Sequence, residues 1–228
     1  MRVLLLSPVD SKAPVKSDSS SESLYETITD DLVRQGYSIN PEALPPSLAN
    51  ALYQQVLELN QAEFDTAGIG RQLAHTVDTQ VRTDEICWIN GSTDTGQNWL
   101  NWAGGLREYI NSQLFLGLFS FESHFAHYGP GDFYKRHLDA FKGESNRLLS
   151  LVVYLNPDWK EEDKGELVLY RDEHDMTGIK VSPTFGTVVA FLSEDFPHEV
   201  LPAKRDRYSI AGWYRLNNSI GNRIDPPR

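Results

Sequence analysis

The spacing of apolar residues along this 228-residue chain changes character near residue 118. Before that point it is helical. Leu24, Ile28 and Leu32 recur every four residues and Gly36 follows, which predicts an amphipathic helix with a glycine stop. Pro45-Pro46 opens a second helix, with Leu48, Leu52 and Val56 on one face. Trp99, Trp102, Leu106 and Ile110 predict a third, although Gly104-Gly105 costs it about 1 kcal/mol per glycine. "EICWI" (85–89) reads as a short strand. Residues 65–83 contain Gly68 and Gly70 and no clear period, and read as a long loop. The serine-rich stretch SKAPVKSDSSSE (11–22) reads as a flexible segment.

After residue 118 short alternating or apolar runs follow one another between turn residues. They are FESHFAHY (121–128), FYKRHLDAF (133–141), RLLSLVVYLN (147–156), ELVLY (166–170), GIKVSP (178–183), TVVAFL (187–192), HEVL (198–201) and RYSIAGWYR (207–215). Eight strands in a row predict an α+β fold: an eight-stranded jelly roll, or double-stranded β-helix, with the N-terminal helices packed on its outside. The helical part has too little apolar surface to stand alone, so one domain over 23–228 is expected after a flexible 1–22. Helical support occupies 23–118 and the jelly roll 119–216, with a short C-terminal tail.

Composition narrows the function classes. The formal net charge of -11 opposes nucleic acid as the main partner, since phosphate binding needs an excess of Lys and Arg. No apolar run is long enough to span a membrane, and MRVLLLSPVD is too short an apolar run for a secretory leader. Cys87 is the only cysteine, which excludes an intrachain disulfide and a cysteine-based zinc site and suits a cytoplasmic setting.

The chemistry-bearing stretch is FYKRHLDAF. If it is a strand, His137 and Asp139 leave the same face. His75 lies in the long loop and His174 in an acidic turn, and both are expected to be exposed. His124 and His127, three apart in a strand, face opposite ways. His198 opens the seventh strand, which in a jelly roll lies beside the second, so it can join His137 and Asp139 in the barrel mouth. Two histidines and a carboxylate suit the facial triad of a non-haem Fe(II) oxygenase, and a tetrahedral zinc site equally. A cosubstrate anchor separates them. Arg207 starts the eighth strand in phase with Ser209, Ala211 and Trp213. An inward guanidinium there needs an anion, and the distal carboxylate of a 2-oxo dicarboxylic acid supplies one. Tyr154 could share that carboxylate, and Tyr128, in phase with His124 and Ala126, could reach the metal-proximal end.

These residues resemble a family. "HEVLPAKRDRYSIAGWY", "FYKRHLDAFKGESNRLLSLVVYLNPDW", "HYGPGDFYKRHLD", "GELVLY" and "VRTDEICWI" are similar to the prolyl hydroxylases of the hypoxia-inducible-factor type, within the Fe(II)/2-oxoglutarate dioxygenases. The resemblance covers roughly residues 22–215. It implies Fe(II) on His137, Asp139 and His198, and 2-oxoglutarate on Arg207, Tyr154 and Tyr128, with O₂ as co-reactant and ascorbate as an optional reductant. It places Trp213 on the substrate side of the iron, Arg82, Asp84 and Trp88 along a peptide groove, and Arg147 at its rim. It implies a protein substrate with a target proline, a translation elongation factor being the example set by bacterial members. Two alternatives stand beside it: the same chemistry on a free amino acid or other small molecule, and a non-catalytic jelly-roll binding module.

Overall fold

The computed structural model describes residues 19–59, 63–67, 80–140 and 146–217. Three helices precede the main strands. α1 (Ser19–Gln35) buries Leu24, Tyr25, Ile28 and Leu32, and stops where Gly36 takes φ +80 and donates its N–H to the Leu32 carbonyl. α2 (Pro46–Glu58) starts with proline at its first position and buries Ala49, Leu52 and Val56. α3 (Asp94–Leu114) is capped by Thr93, whose side chain accepts from the Gly96 N–H. It runs unbroken through Gly104-Gly105. A Cβ on Gly105 would lie 3.1 Å from the Tyr25 hydroxyl, so the small residue lets α1 approach.

Each of the eight sequence runs carries a strand. β4 is Leu118–Tyr128, β5 Tyr134–His137, β6 Arg147–Tyr154, β7 Leu167–Leu169, β8 Ile179–Val181, β9 Val188–Leu192, β10 His198–Val200 and β11 Arg207–Leu216. Three more strands, β1 (Tyr37–Asn40), β2 (Asp65–Thr66) and β3 (Glu85–Trp88), extend the larger sheet beyond the eight expected. Its order is β1-β9-β6-β11-β4-β3-β2, and a second sheet runs β5-β10-β7-β8. Every pairing is antiparallel. This is the jelly roll anticipated from the strand series.

Alternation along the large sheet sorts two cores. Phe125, Leu149, Leu151, Val153 and Ile210 face outward and pack with Ile28, Leu52, Trp99 and Leu106 of the helices. Ala126, Tyr128, Tyr154, Val189 and Phe191 face inward and pack with Leu167, Leu169, Val181 and Val200 of the smaller sheet. Polar contacts tie the layers. Trp99 donates to Ser123 Oγ at 2.9 Å, and the Tyr25 and Tyr214 hydroxyls donate to the carbonyls of Trp102 and Ala103.

Three expectations need correction. α1 begins at Ser19, inside the segment read as flexible, because its buried face starts at Ser21 and Leu24 and recruits the preceding turn. β1 was not expected: four residues give too short a pattern, yet its pairing with β9 satisfies their backbone groups. The loop read over 65–83 contains β2, paired with β3, and an isolated bridge from Arg82 to Tyr134. Residues 68–79, and His75 with them, lie outside the described residues, as do 1–18 and 218–228. Among the described residues no helix is long and apolar enough to cross a membrane.

Leu106 is fully buried between the sheet and the other helices, whereas Leu57 is 47% exposed on α2. Leu106→Ala is expected to lower the unfolding free energy by about 2–5 kcal/mol, and Leu57→Ala by about 0.5 kcal/mol or less. Urea denaturation midpoints check both.

Candidate active site

The ladder between β5 and β10 sets His198 directly opposite His137, and slips before Val200 meets Tyr134. β5 ends at His137. Asp139 therefore sits in the bend just beyond it, not inside the strand as the sequence suggested. The bend turns the carboxylate toward β6, where the Ser150 hydroxyl donates to its Oδ2 at 2.6 Å. His137 Nε2 lies 3.6 Å from Asp139 Oδ1, and His198 Nε2 lies 3.7 Å from Oδ2. One ligand atom from each of the three residues falls within 4.8 Å of the others.

The tautomers suit a metal. His137 Nδ1 donates to the Lys135 carbonyl at 2.8 Å, and His198 Nδ1 to the Phe196 carbonyl at 3.1 Å. Carbonyls only accept, so both Nδ1 atoms carry protons and both Nε2 atoms are the ones turned toward the shared carboxylate. Burial and the neighbouring His137 push His198 down to about 4, which keeps it a neutral ligand. Burial alone would raise the pKa of Asp139, but the two histidines and Ser150 outweigh it and hold the carboxyl well below its usual range. Two imidazoles and an ionised carboxylate are a donor set that suits Fe(II). His174 is exposed, and His127 faces away from His124 to meet Asp206 at 2.9 Å. Glu199 points outward and accepts from the Tyr170 hydroxyl, so it is not a base beside His198.

Arg207 starts β11 opposite Tyr128 and is only 1% exposed. Its Nε donates to the Gly165 carbonyl at 2.9 Å and one terminal nitrogen to Ser209 Oγ at 3.3 Å. Among the described residues no carboxylate pairs with it. Its guanidinium carbon stands 5.0 Å from the ring centres of both Tyr128 and Tyr154. Among the described residues no acceptor meets the buried Tyr154 hydroxyl, and burial pushes its pKa up to about 12 against the opposing pull of the adjacent Arg207, so it remains a donor. A buried cation beside an orphaned hydroxyl is costly unless an anion arrives. Gly165 makes the pocket possible: it has φ +75, and a Cβ there would come within 2.7 Å of Ala203 and 3.3 Å of the Arg207 side chain.

On the other side of the triad the inner face of the large sheet is aromatic. Trp213 pairs in register with Ser150, the residue holding Asp139, and its buried indole N–H has no partner. Arg147 stacks over Trp213 at 3.6 Å while donating to Glu122, which also accepts from Arg215. Asp84 is fully buried in a two-pronged pair with Arg82, at 2.8 and 2.6 Å. Trp88 is 43% exposed and meets His124 edge-on.

Sequence reasoning missed Tyr134, whose ring stacks on His137 at 3.6 Å and carries Arg82 on its other contacts at 4.3 Å. Its place in FYKRH, three residues before a ligand, was the available signal. Ser150 and Glu122 were missed too. Each shares the strand alternation of a named neighbour, Tyr154 for Ser150 and Tyr128 for Glu122. His124 was set aside because it cannot chelate with His127, although its phase with Tyr128 already put it on the inner face.

Comparison with known proteins agrees with this geometry. Residues 123–215 match the model of the 2OG-Fe(II) oxygenase superfamily, a span that contains the triad and Arg207. The crystal structure of a Pseudomonas putida prolyl-4-hydroxylase is 37% identical, with a TM-score of 0.75 over 85% of this chain and 100% of that one. A Trichoplax adhaerens prolyl hydroxylase in complex with a hypoxia-inducible-factor peptide fragment is 28% identical, with a TM-score of 0.76 over 88% of this chain and 94% of that one. Among curated proteins, rat Egl nine homolog 1 is 34% identical over 87 residues. That match spans 38% of this chain and 25% of the rat protein. The chain thus belongs to the prolyl hydroxylase branch of the 2OG-Fe(II) oxygenases, enzymes that use Fe(II) and 2-oxoglutarate.

Proposed function

We propose that this enzyme hydroxylates a prolyl residue within a protein, with His137, Asp139 and His198 holding Fe(II) and with Arg207, Tyr154 and Tyr128 holding 2-oxoglutarate. The observation that carries the reading is the sequence of environments along the inner face of the large sheet. An unpaired buried cation stands at one end, the ligand cluster in the middle, and an aromatic mouth at the other. When bound, iron and 2-oxoglutarate would supply the chemistry by which O₂ places one oxygen atom in a C–H bond and the other in the succinate formed as the acid loses CO₂. The chain's residues do the rest. Arg207 and the Tyr154 hydroxyl grip the distal carboxylate and so fix which end of the acid meets the metal. With only three protein ligands, His137, Asp139 and His198 would leave room on a bound ion for the acid and O₂. Trp213, Trp88 and Tyr134 exclude water and present flat apolar walls suited to a pyrrolidine ring.

A protein substrate is supported by the mouth, where Trp88 is exposed at the rim of the site, and by the peptide fragment held by the Trichoplax relative. A translation elongation factor is the first protein to test. Incubation of the enzyme with Fe(II), 2-oxoglutarate and candidate proteins, followed by mass spectrometry of digests, is expected to find one added oxygen on a proline only when both cofactors are present. Addition at another residue type, or none while succinate accumulates, would refute the prolyl reading.

Asp139→Ala leaves two neutral ligands and no anion for the metal, and is expected to abolish succinate formation. Succinate release at the wild-type rate would dismiss the triad. Arg207→Ala removes the guanidinium that faces Tyr128 and Tyr154, and the KM for 2-oxoglutarate is expected to rise by roughly 10²-fold. Steady-state kinetics at saturating substrate protein measure it, and an unchanged KM would dismiss the anchor.

A further inference from the structure

His124 occupies the middle of β4, opposite Trp88 of β3 and Ala211 of β11. It is 3% exposed. Its ring lies 5.2 Å from Trp88, edge-on, and 5.5 Å from Trp213. Trp213 in turn lies opposite Ser150, whose hydroxyl holds Asp139. His124 is therefore part of the wall that leads from the mouth to the metal ligands, although it belongs to neither the triad nor the cosubstrate pocket.

Its protonation pattern is determined by its surroundings. Nδ1 is 3.0 Å from the Phe125 carbonyl, which can only accept, so Nδ1 carries the proton and Nε2 the lone pair. Nε2 makes no hydrogen bond among the described residues. Unlike the Tyr154 hydroxyl and the Trp213 indole N–H, it is not sealed off from solvent. A deeply placed ring thus keeps one reachable acceptor. Burial, followed by the charge of Arg82, pushes its pKa down to about 4, so the ring stays neutral.

The surroundings also select the donor that can meet this lone pair. Arg82 and Arg147 both bias the ring against positive charge, and Asp84 only partly offsets them. The same potential disfavours an ammonium group on a ligand. A carboxylate would face the lone pair, and both arginines already hold carboxylates of the chain, Arg82 with Asp84 and Arg147 with Glu122. The complementary group is a neutral N–H beside apolar surface. In a peptide containing proline, the proline itself has no N–H, so the nearest one towards the C-terminus belongs to the next residue.

We propose that His124 Nε2 accepts a hydrogen bond from the backbone N–H of the residue following the target proline, which makes His124 a specificity-determining residue for peptide-linked over free proline. This rests on the prolyl reading above and names the residue that recognises the chain carrying the proline. His124 takes no part in the chemistry; it reads the chain that carries the proline.

Two small probes of near-identical shape isolate the contact: N-acetyl-L-proline methylamide, which has the N–H, and N-acetyl-L-proline methyl ester, which lacks it. Ligand-observed NMR titrations would use the full-length protein loaded with Zn(II) and 2-oxoglutarate, with free L-proline as third ligand. Wild type is expected to bind the amide about tenfold more tightly than the ester, and more tightly than L-proline. His124→Phe keeps a ring and removes the acceptor, and should bring the amide-to-ester ratio to about one. His124→Gln restores an acceptor oxygen and should recover a preference for the amide. Equal binding of amide and ester by wild type overturns the proposal without any variant. So does an undiminished preference in His124→Phe, or tighter binding of L-proline than of the amide. If amide and ester are equally bound and both hydroxylated by the iron enzyme, the prolyl reading survives and only the role of His124 falls. If none of the three ligands binds, both fall together.

Discussion

The cross-strand pairing of His137 with His198 is the constraint on which the rest depends. These residues come from β5 and β10, two strands of four and three residues, far apart in the chain. A slip of one residue in either strand would turn its histidine to the outer face. Such short ladders hold register poorly by themselves, and the outer face of the same strands supplies a lock. Arg136, next to His137, stacks on Tyr170 at 3.7 Å and donates to the carbonyls of Asp172 and Asp175. Tyr170 donates its hydroxyl to Glu199, next to His198. Three strands are thus stitched on the side where the ligands are not.

The two sheets then divide the labour. The small sheet brings two imidazoles, while the large one brings what they face: Ser150 to orient the carboxylate, Tyr154 and Arg207 for an anion, and Trp213 and His124 for a substrate. The electrostatics are local. Asp139 is ionised because two histidines and a hydroxyl surround it, and His198 is neutral because it is buried. Arg207 stands without a carboxylate in a place where a permanent charge is expensive. Such an unmet cost in a folded chain points to a ligand more firmly than any cavity does.

Much of this was legible in the residues. The helices announced themselves through Leu24, Ile28 and Leu32 and through Trp99, Leu106 and Ile110, because one-sided burial leaves a 3.6-residue period. Eight strands showed as short runs between turn residues. Arg207 was found because strand alternation put it in phase with Ser209 and Trp213, and His198 because the seventh strand of a jelly roll lies beside the second. Other features left little trace. β1 is four residues long and draws its stability from β9, a partner that no local pattern names. Asp139 left its strand because the ladder stops at His137, a tertiary event. Tyr134 and Ser150 matter through what they touch, and contacts across sheets have no local signature. His124 was visible as an inward residue, but the rotamer that turns its Nδ1 to the Phe125 carbonyl and leaves Nε2 free is set by Trp88 and Trp213, which only the fold packs against it.

The central claim is that three ligands and one guanidinium, from three separate strands or their ends, define one site for a metal and a dicarboxylate. An anaerobic crystal structure with Mn(II) and 2-oxoglutarate tests it most directly. The expected result is one ion bonded to His137 Nε2, His198 Nε2 and an Asp139 oxygen, with the acid chelating it and its distal carboxylate on Arg207 and Tyr154. An ion bound elsewhere, or an acid whose distal carboxylate lies away from Arg207, would contradict the account.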